Sequence, residues 1–171
     1  MRFWILSFVA VSGLAVLSLR GNDIRPSLTE EVSPVIALVR RWEGCRLDSY
    51  LCPAGRWTIG YGHTRDVQEG MSISQEEAEQ MLEADLDWMR DMVRCHVLVP
   101  INRNQEAALV SFVYNVGETA FKKSTMLRKL NGKDYDGAAD EFGRWIYAGG
   151  KPMDGLRNRR MDEEKLFMRK P

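Results

Sequence analysis

Apolar and polar residues alternate along this chain in several distinct rhythms, and each predicts a different element. Ala78, Met81, Leu82, Leu86, Met89 and Val93 keep helical spacing with charged residues between them, which predicts a long amphipathic helix. Ser74 with Glu77 forms the capping-box signature of its start. In "QEAALVSFVYNVG" the apolar residues are nearly continuous. That run predicts a more buried helix, opened by Asn102 or Asn104 after Pro100 and closed by Gly117. Shorter helices are expected in four places. One follows the Ser33-Pro34 start signal, has Val35, Ile36, Val39 and Trp42 on its apolar side, and ends at Gly44. The others run from Thr125 to Leu130 after a Ser124 cap, from Tyr135 to Tyr147 before "AGG", and from Leu156 to about Met168.

One stretch has a different period. "LDSYLCPAGRWTIGYGHT" places strand-like residues on both sides of Pro53, Ala54, Gly55 and Arg56, which reads as a hairpin. The expected architecture is α+β and mostly helical, with a small N-terminal β-hairpin lobe followed by a helical C-terminal lobe. A cleft between two such lobes is a natural place for a polymer. No internal repeat or second domain boundary is visible.

Phe3 to Leu19 has no charge and lies between Arg2 and Arg20. At 1.5 Å per residue it reaches roughly 26 Å, slightly short of a hydrocarbon core of about 30 Å. A buried core helix would show a polar stripe. A cleaved signal peptide is the nearer rival, yet no A-x-A-like site precedes Arg20. The preferred reading is therefore residues 1–20 as a signal-anchor, 21–33 as a polar linker and 34–171 as one domain. Arg2 keeps the amino terminus inside, which sends the remainder across a bacterial-type inner membrane. Ser7, Ala10, Ser12, Gly13, Ala15 and Ser18 dilute the apolar bulk, so the anchor is expected to be releasable.

Composition narrows the range of partners. The formal net charge is zero and 44% of residues are apolar, which favours a single folded domain and gives no reason to expect nucleic acid. Charge is uneven, however. The segment from Gln75 to Cys95 is predominantly acidic, and that from Arg144 to Pro171 predominantly basic. Three cysteines, Cys45, Cys52 and Cys95, lie in the exported part, where disulfides persist, and an odd count leaves one thiol free or exchangeable.

Candidate chemistry concentrates in "WEGCRLDSYLC". Two cysteines with no nearby CxxC, and histidine only at His63 and His96, lack zinc spacing. A thiol protease would need a histidine base oriented by a third group, which nothing local specifies. Glycosidase chemistry explains more of the residues. It needs a carboxylic acid at the leaving oxygen and a second group that activates water, or attacks, on the other face of the sugar. Glu43, at a helix end beside Trp42 and facing a hairpin, is placed to be that acid. Its partner should lie on the hairpin. His63 is expected to organise the hairpin, Trp57 and Tyr61 to line a sugar cleft or the core, and "RNRR" to be a solvated helix face paired with Asp162 and Glu163. Met71, Met81, Met89 and Met92 read as interior filling.

Glu43, Cys52 and Thr58, with eight and five residues between them and "IGYGHT" following, resemble the active-site pattern of the phage-type lysozymes, glycoside hydrolase family 24. "SQEEAEQML", "FVYNVG" and "GLRNRR" extend the likeness over Pro34 to Phe167. The resemblance implies a lysozyme-like fold, hydrolysis of the β-1,4 bond between N-acetylmuramic acid and N-acetylglucosamine in peptidoglycan, no cofactor and a monomer. It implies Glu43 as general acid, Cys52 at a position usually held by aspartate, and Thr58 as the hydroxyl that places water or substrate. With the N-terminal segment, the chain resembles a signal-arrest-release endolysin, held at the inner membrane and then released into the periplasm. Cys52 departs from the common pattern: a thiol of ordinary pKa, about 8.5, is mostly neutral at pH 7. It also admits a disulfide, so Cys45 and Cys95 are candidate regulatory thiols that could cage it; otherwise both read as small buried residues. Two other functions share many of these features, namely a tethered peptidoglycan-binding protein without catalysis and a lytic transglycosylase.

Overall fold

The computed structural model describes residues 33–170. The expected anchor at 1–20 and nearly all of the 21–33 linker lie outside the described residues. Among those described, no helix is long and apolar enough to cross a membrane.

The chain opens with α1 (Pro34–Glu43), in which Val35 and Val39 face the core. Next comes an antiparallel hairpin of β1 (Arg46–Leu51) and β2 (Trp57–Gly60), paired Tyr50 to Thr58 and Leu51 to Trp57. The register shifts between Arg46 and Tyr50, because β1 turns there to a second partner: Ser49 donates to the Met71 carbonyl and Asp48 bridges Ser72. A bulged strand bends. The sheet therefore curls over the start of α2 (Gln75–His96), whose Ser74 cap and Glu77 reciprocate in the expected capping box.

Helix α3 (Arg103–Val116) begins at Asn102, ends at Gly117 and buries every residue from Ala107 to Val113. Such burial marks the central helix of the helical lobe, and α2 and α7 (Asp154–Phe167) both pack on it. The core converges on Phe112, which meets Phe142 and Trp145 edge to face at 5.4 and 5.3 Å between ring centroids. Two short helices, α4 (Glu118–Lys122) and α5 (Thr125–Asn131), close its far side; α4 carried no periodic signal in the sequence.

The expected Tyr135–Tyr147 helix is corrected. α6 covers only Tyr135–Asp140, followed by a single 3-10 turn at Phe142–Arg144. Glu141 is buried against the Lys129 ammonium at 2.7 Å and Phe142 is fully buried, so tertiary contacts redirect the chain before another helical turn forms. "AGG" is a hairpin turn rather than a helix end: Gly149 and Gly150, at φ +57° and +77°, join β3 (Tyr147–Ala148) to β4 (Lys151–Pro152).

Candidate active site

Glu43 is the last residue of α1, and Gly44, at φ +67°, turns the chain at once into the hairpin. A residue with a β-carbon would be strained in that conformation. The Glu43 side chain keeps 23% of its surface exposed, and its Oε1 accepts from Nη1 of Arg159 at 2.5 Å. The three guanidinium nitrogens of Arg159 are all engaged. Nε donates to Glu163 Oε1 at 3.0 Å, Nη2 donates to the Ser111 carbonyl at 3.1 Å, and Nη1 reaches Glu43.

The other two predicted residues come together at the far end of the hairpin. Cys52 closes the β1–β2 turn, donating its N–H to the Arg56 carbonyl at 2.9 Å and accepting at its own carbonyl from Gly55 at 2.8 Å. Thr58 is buried, lies opposite Tyr50 and donates its hydroxyl to the same Arg56 carbonyl at 3.1 Å. The Cys52 thiol is pulled below the ordinary thiol value chiefly by the Arg56 backbone, with smaller help from the Ala54 backbone, the Thr58 hydroxyl and the Arg56 charge, against desolvation. Donors aimed at sulfur favour the thiolate, which is the form able to take a proton. A half-buried thiol at a position usually held by aspartate is thus given some of aspartate's character.

A cleft of about 700 Å³ begins at Arg56, beside this turn, and continues past His63, Arg65, Asp85 and Trp88 to Tyr114. Tyr114 links it to Glu43. Burial, and then the Asp85 and Glu43 carboxylates, push its phenol up, and its hydroxyl donates to the Tyr61 carbonyl at 3.0 Å. His63 organises the wall, as expected: Nδ1 meets Asp85 Oδ2 at 2.8 Å and Nε2 meets the Arg65 carbonyl at 3.0 Å. Tyr61 belongs to the core, and Trp57 is half-buried. Of the four methionines expected inside, Met92 is buried while Met71, Met81 and Met89 are half-buried.

"RNRR" is not the solvated face that its charge predicted. Arg157 and Asn158 are exposed, but Arg159 and Arg160 retain only 3% and 1% of their surface. Asp162 pairs across to Arg41 at 3.1 Å. Glu163, completely buried, lies 3.0 Å from both Arg159 and Arg160, and accepts from the Ser111 hydroxyl at 2.8 Å. Burial pushes the Glu163 carboxyl up, with the Arg160 and Arg159 charges opposing, and burial pushes the Arg160 guanidinium down to about 10. The expected pairing with Glu163 is present; its burial and its reach to Ser111 and Glu43 were not expected, though two signals for them were in the sequence. Glu163 stands four and three residues after the two arginines, and Ser111 is a lone hydroxyl in an otherwise apolar run.

The three cysteines are free thiols. Cys45 is half-buried against the core, whereas Cys95 is exposed, which corrects its reading as a small buried residue. Cys45 and Cys52 stand at opposite ends of β1. Even a bulged strand of that length separates its ends by more than ~10 Å, beyond the roughly 7 Å limit for a disulfide.

The family described as phage lysozyme matches residues 40–163. An endolysin of Acyrthosiphon pisum secondary endosymbiont phage 1 is 46% identical over 136 residues, covering 77% of this chain and 93% of that one. A SAR-endolysin of Bacteriophage PS119 is 41% identical over 127 residues, covering 74% and 76%. Among solved structures, the muramidase domain of SpmX from Asticaccaulis excentricus aligns with a TM-score of 0.75 at 35% identity, covering 80% of this chain and 95% of that domain. A hairpin that carries Cys52 and Thr58, a glutamate held at its root and the match across both lobes lead to one conclusion: this chain belongs to the phage lysozyme family.

Proposed function

We propose that this lysozyme-family glycoside hydrolase acts as a phage endolysin, cleaving the β-1,4 bond between N-acetylmuramic acid and N-acetylglucosamine in host peptidoglycan. Glu43, in its protonated form, gives its proton to the glycosidic oxygen as the bond to the anomeric carbon breaks. A water attacks that carbon from the other face and passes a proton to the Cys52 thiolate, while Thr58 places the thiolate and the water. The observation that carries this reading is the hairpin turn that gathers Cys52 and Thr58 on the one Arg56 carbonyl, where the family pattern usually has a carboxylate at the cysteine position. Glu43→Gln removes the proton donor, and the rate of release of reducing ends should fall by at least ~100-fold. Retained hydrolysis would refute the assignment, and anhydro ends would point instead to a transglycosylase.

The remaining assignments extend this reading. Residues 1–20 form a releasable signal-anchor that crosses the inner membrane through residues 3–19 with the amino terminus inside. Residues 34–171 then work as a monomeric catalytic domain in the periplasm, without a cofactor. The apolar but diluted run of residues 3–19 supports the anchor, as does the likeness to the PS119 SAR-endolysin. Cys45 and Cys95 are the regulatory thiols, and Cys45 reaches Cys52 only in a form whose hairpin is open, because β1 holds the two apart.

A further inference from the structure

Arg159 is in contact with Glu43, so the side chain that orients the proposed acid also sets a positive charge against it. Arg160 adds a second buried positive charge on the same side. One buried carboxylate faces both arginines. Glu163 takes hydrogen bonds from Arg159, Arg160 and Ser111. Burial favours the neutral form of Glu163, and the two guanidinium charges and the Ser111 hydroxyl it contacts oppose that.

We propose that Glu163 is a positioning residue for the reaction, acting through Arg159: it fixes the guanidinium that orients Glu43 and balances the second arginine. With Glu163 present, two arginines face two carboxylates and the cluster is neutral. Without its charge, both arginines act on Glu43 alone. Low polarity around the cluster makes this balance count for more, since Phe112 lies under Arg160 at 5.0 Å and the α3 residues beside Ser111 are buried. The other ionisable groups near Glu43 do not replace Glu163. Tyr114 of α3 is neutral and Tyr50 of β1 shares its surroundings. Arg40 and Arg41 of α1 are engaged with Glu79 and Asp162. Glu163 touches no substrate, so its effect is carried by the arginine.

This rests on Glu43 as the acid, and the test separates the two claims. In the full-length chain, Glu163→Gln keeps the shape and an acceptor oxygen but removes the charge. kcat should fall roughly tenfold with KM within about twofold, and one limb of the pH–rate profile should move about one unit toward lower pH. Adding Arg160→Met to Glu163→Gln restores neutrality, so the profile should move back toward that of the parent. Ser111→Ala, which removes a hydrogen bond but no charge, should lower the melting temperature and leave the profile in place. A Glu163→Gln profile that coincides with the parent's, or a Ser111→Ala shift as large as that of Glu163→Gln, would overturn the proposal. Activity surviving in Glu43→Gln would overturn the acid assignment instead, and this proposal with it.

Discussion

At the scale of single residues, Cys52 shows how local geometry changes what a side chain can do. A thiol is a weaker candidate base than aspartate because its ordinary pKa lies well above that of a carboxyl. The Arg56 and Ala54 backbone and the Thr58 hydroxyl move it in the useful direction. The sign of the pH effect follows. A base must be ionised to work, so with Cys52 in its proposed role activity tracks thiolate formation, and its limb lies below the ordinary thiol value. Cys52→Asp should move that limb several units toward lower pH, because a carboxyl ionises near 4; a profile unchanged by the substitution would remove Cys52 from the proton transfer. The stereochemistry of the product separates base from nucleophile: inversion accompanies water activation, and retention would require attack by sulfur.

At the scale of elements, the active site depends on joints between short segments rather than on any one segment. Gly44 joins α1 to β1 at φ +67°, and the space a β-carbon would enter there is open to 4 Å, so a side chain meets backbone strain and no clash. Gly44→Ala should cost about 1 kcal/mol in denaturant unfolding. It should also lower kcat, because the same joint aims Glu43; unfolding at the parent's midpoint with full activity would contradict this. The β1–β2 hairpin was legible in advance because strand-like residues bracket a Pro-Ala-Gly turn. The bend in β1 was not. It arises when Ser49 and Leu47 pair with residues 71–73, a contact between segments more than twenty positions apart that no local pattern announces. The overlong Tyr135 helix failed for a related reason, since Glu141 and Phe142 are claimed by the core before the helix can continue.

At the scale of the whole molecule, Glu43 and the Cys52 thiol are held by different parts of the fold. Glu43 is tied by Arg159 to α7 and α3, whereas Cys52 and Thr58 belong to the hairpin. Any disulfide between Cys45 and Cys52 therefore opens the hairpin and disables the site. If the thiols lock the anchored protein, non-reducing peptide mapping of the membrane-bound form should find Cys52 bonded to Cys45 or Cys95, and three free thiols there would sink the lock. Release should follow the membrane potential, because the positive amino terminus must cross outward against about 2.3 kcal/mol per charge per 100 mV. Depolarisation should move the protein to the periplasm, and a fully membrane-bound population afterwards would exclude a releasable anchor. The sequence by itself determined the helices with capping boxes, the hairpin and the Glu43, Cys52 and Thr58 spacing, because each rests on neighbours a few positions apart. Only the tertiary structure decided that Arg159, Arg160 and Glu163 leave solvent to form an ion-pair cluster with Glu43. Residues 43 and 159 meet only when α7 packs on α3, and a charged helix reads the same in sequence whether its arginines face water or a buried carboxylate.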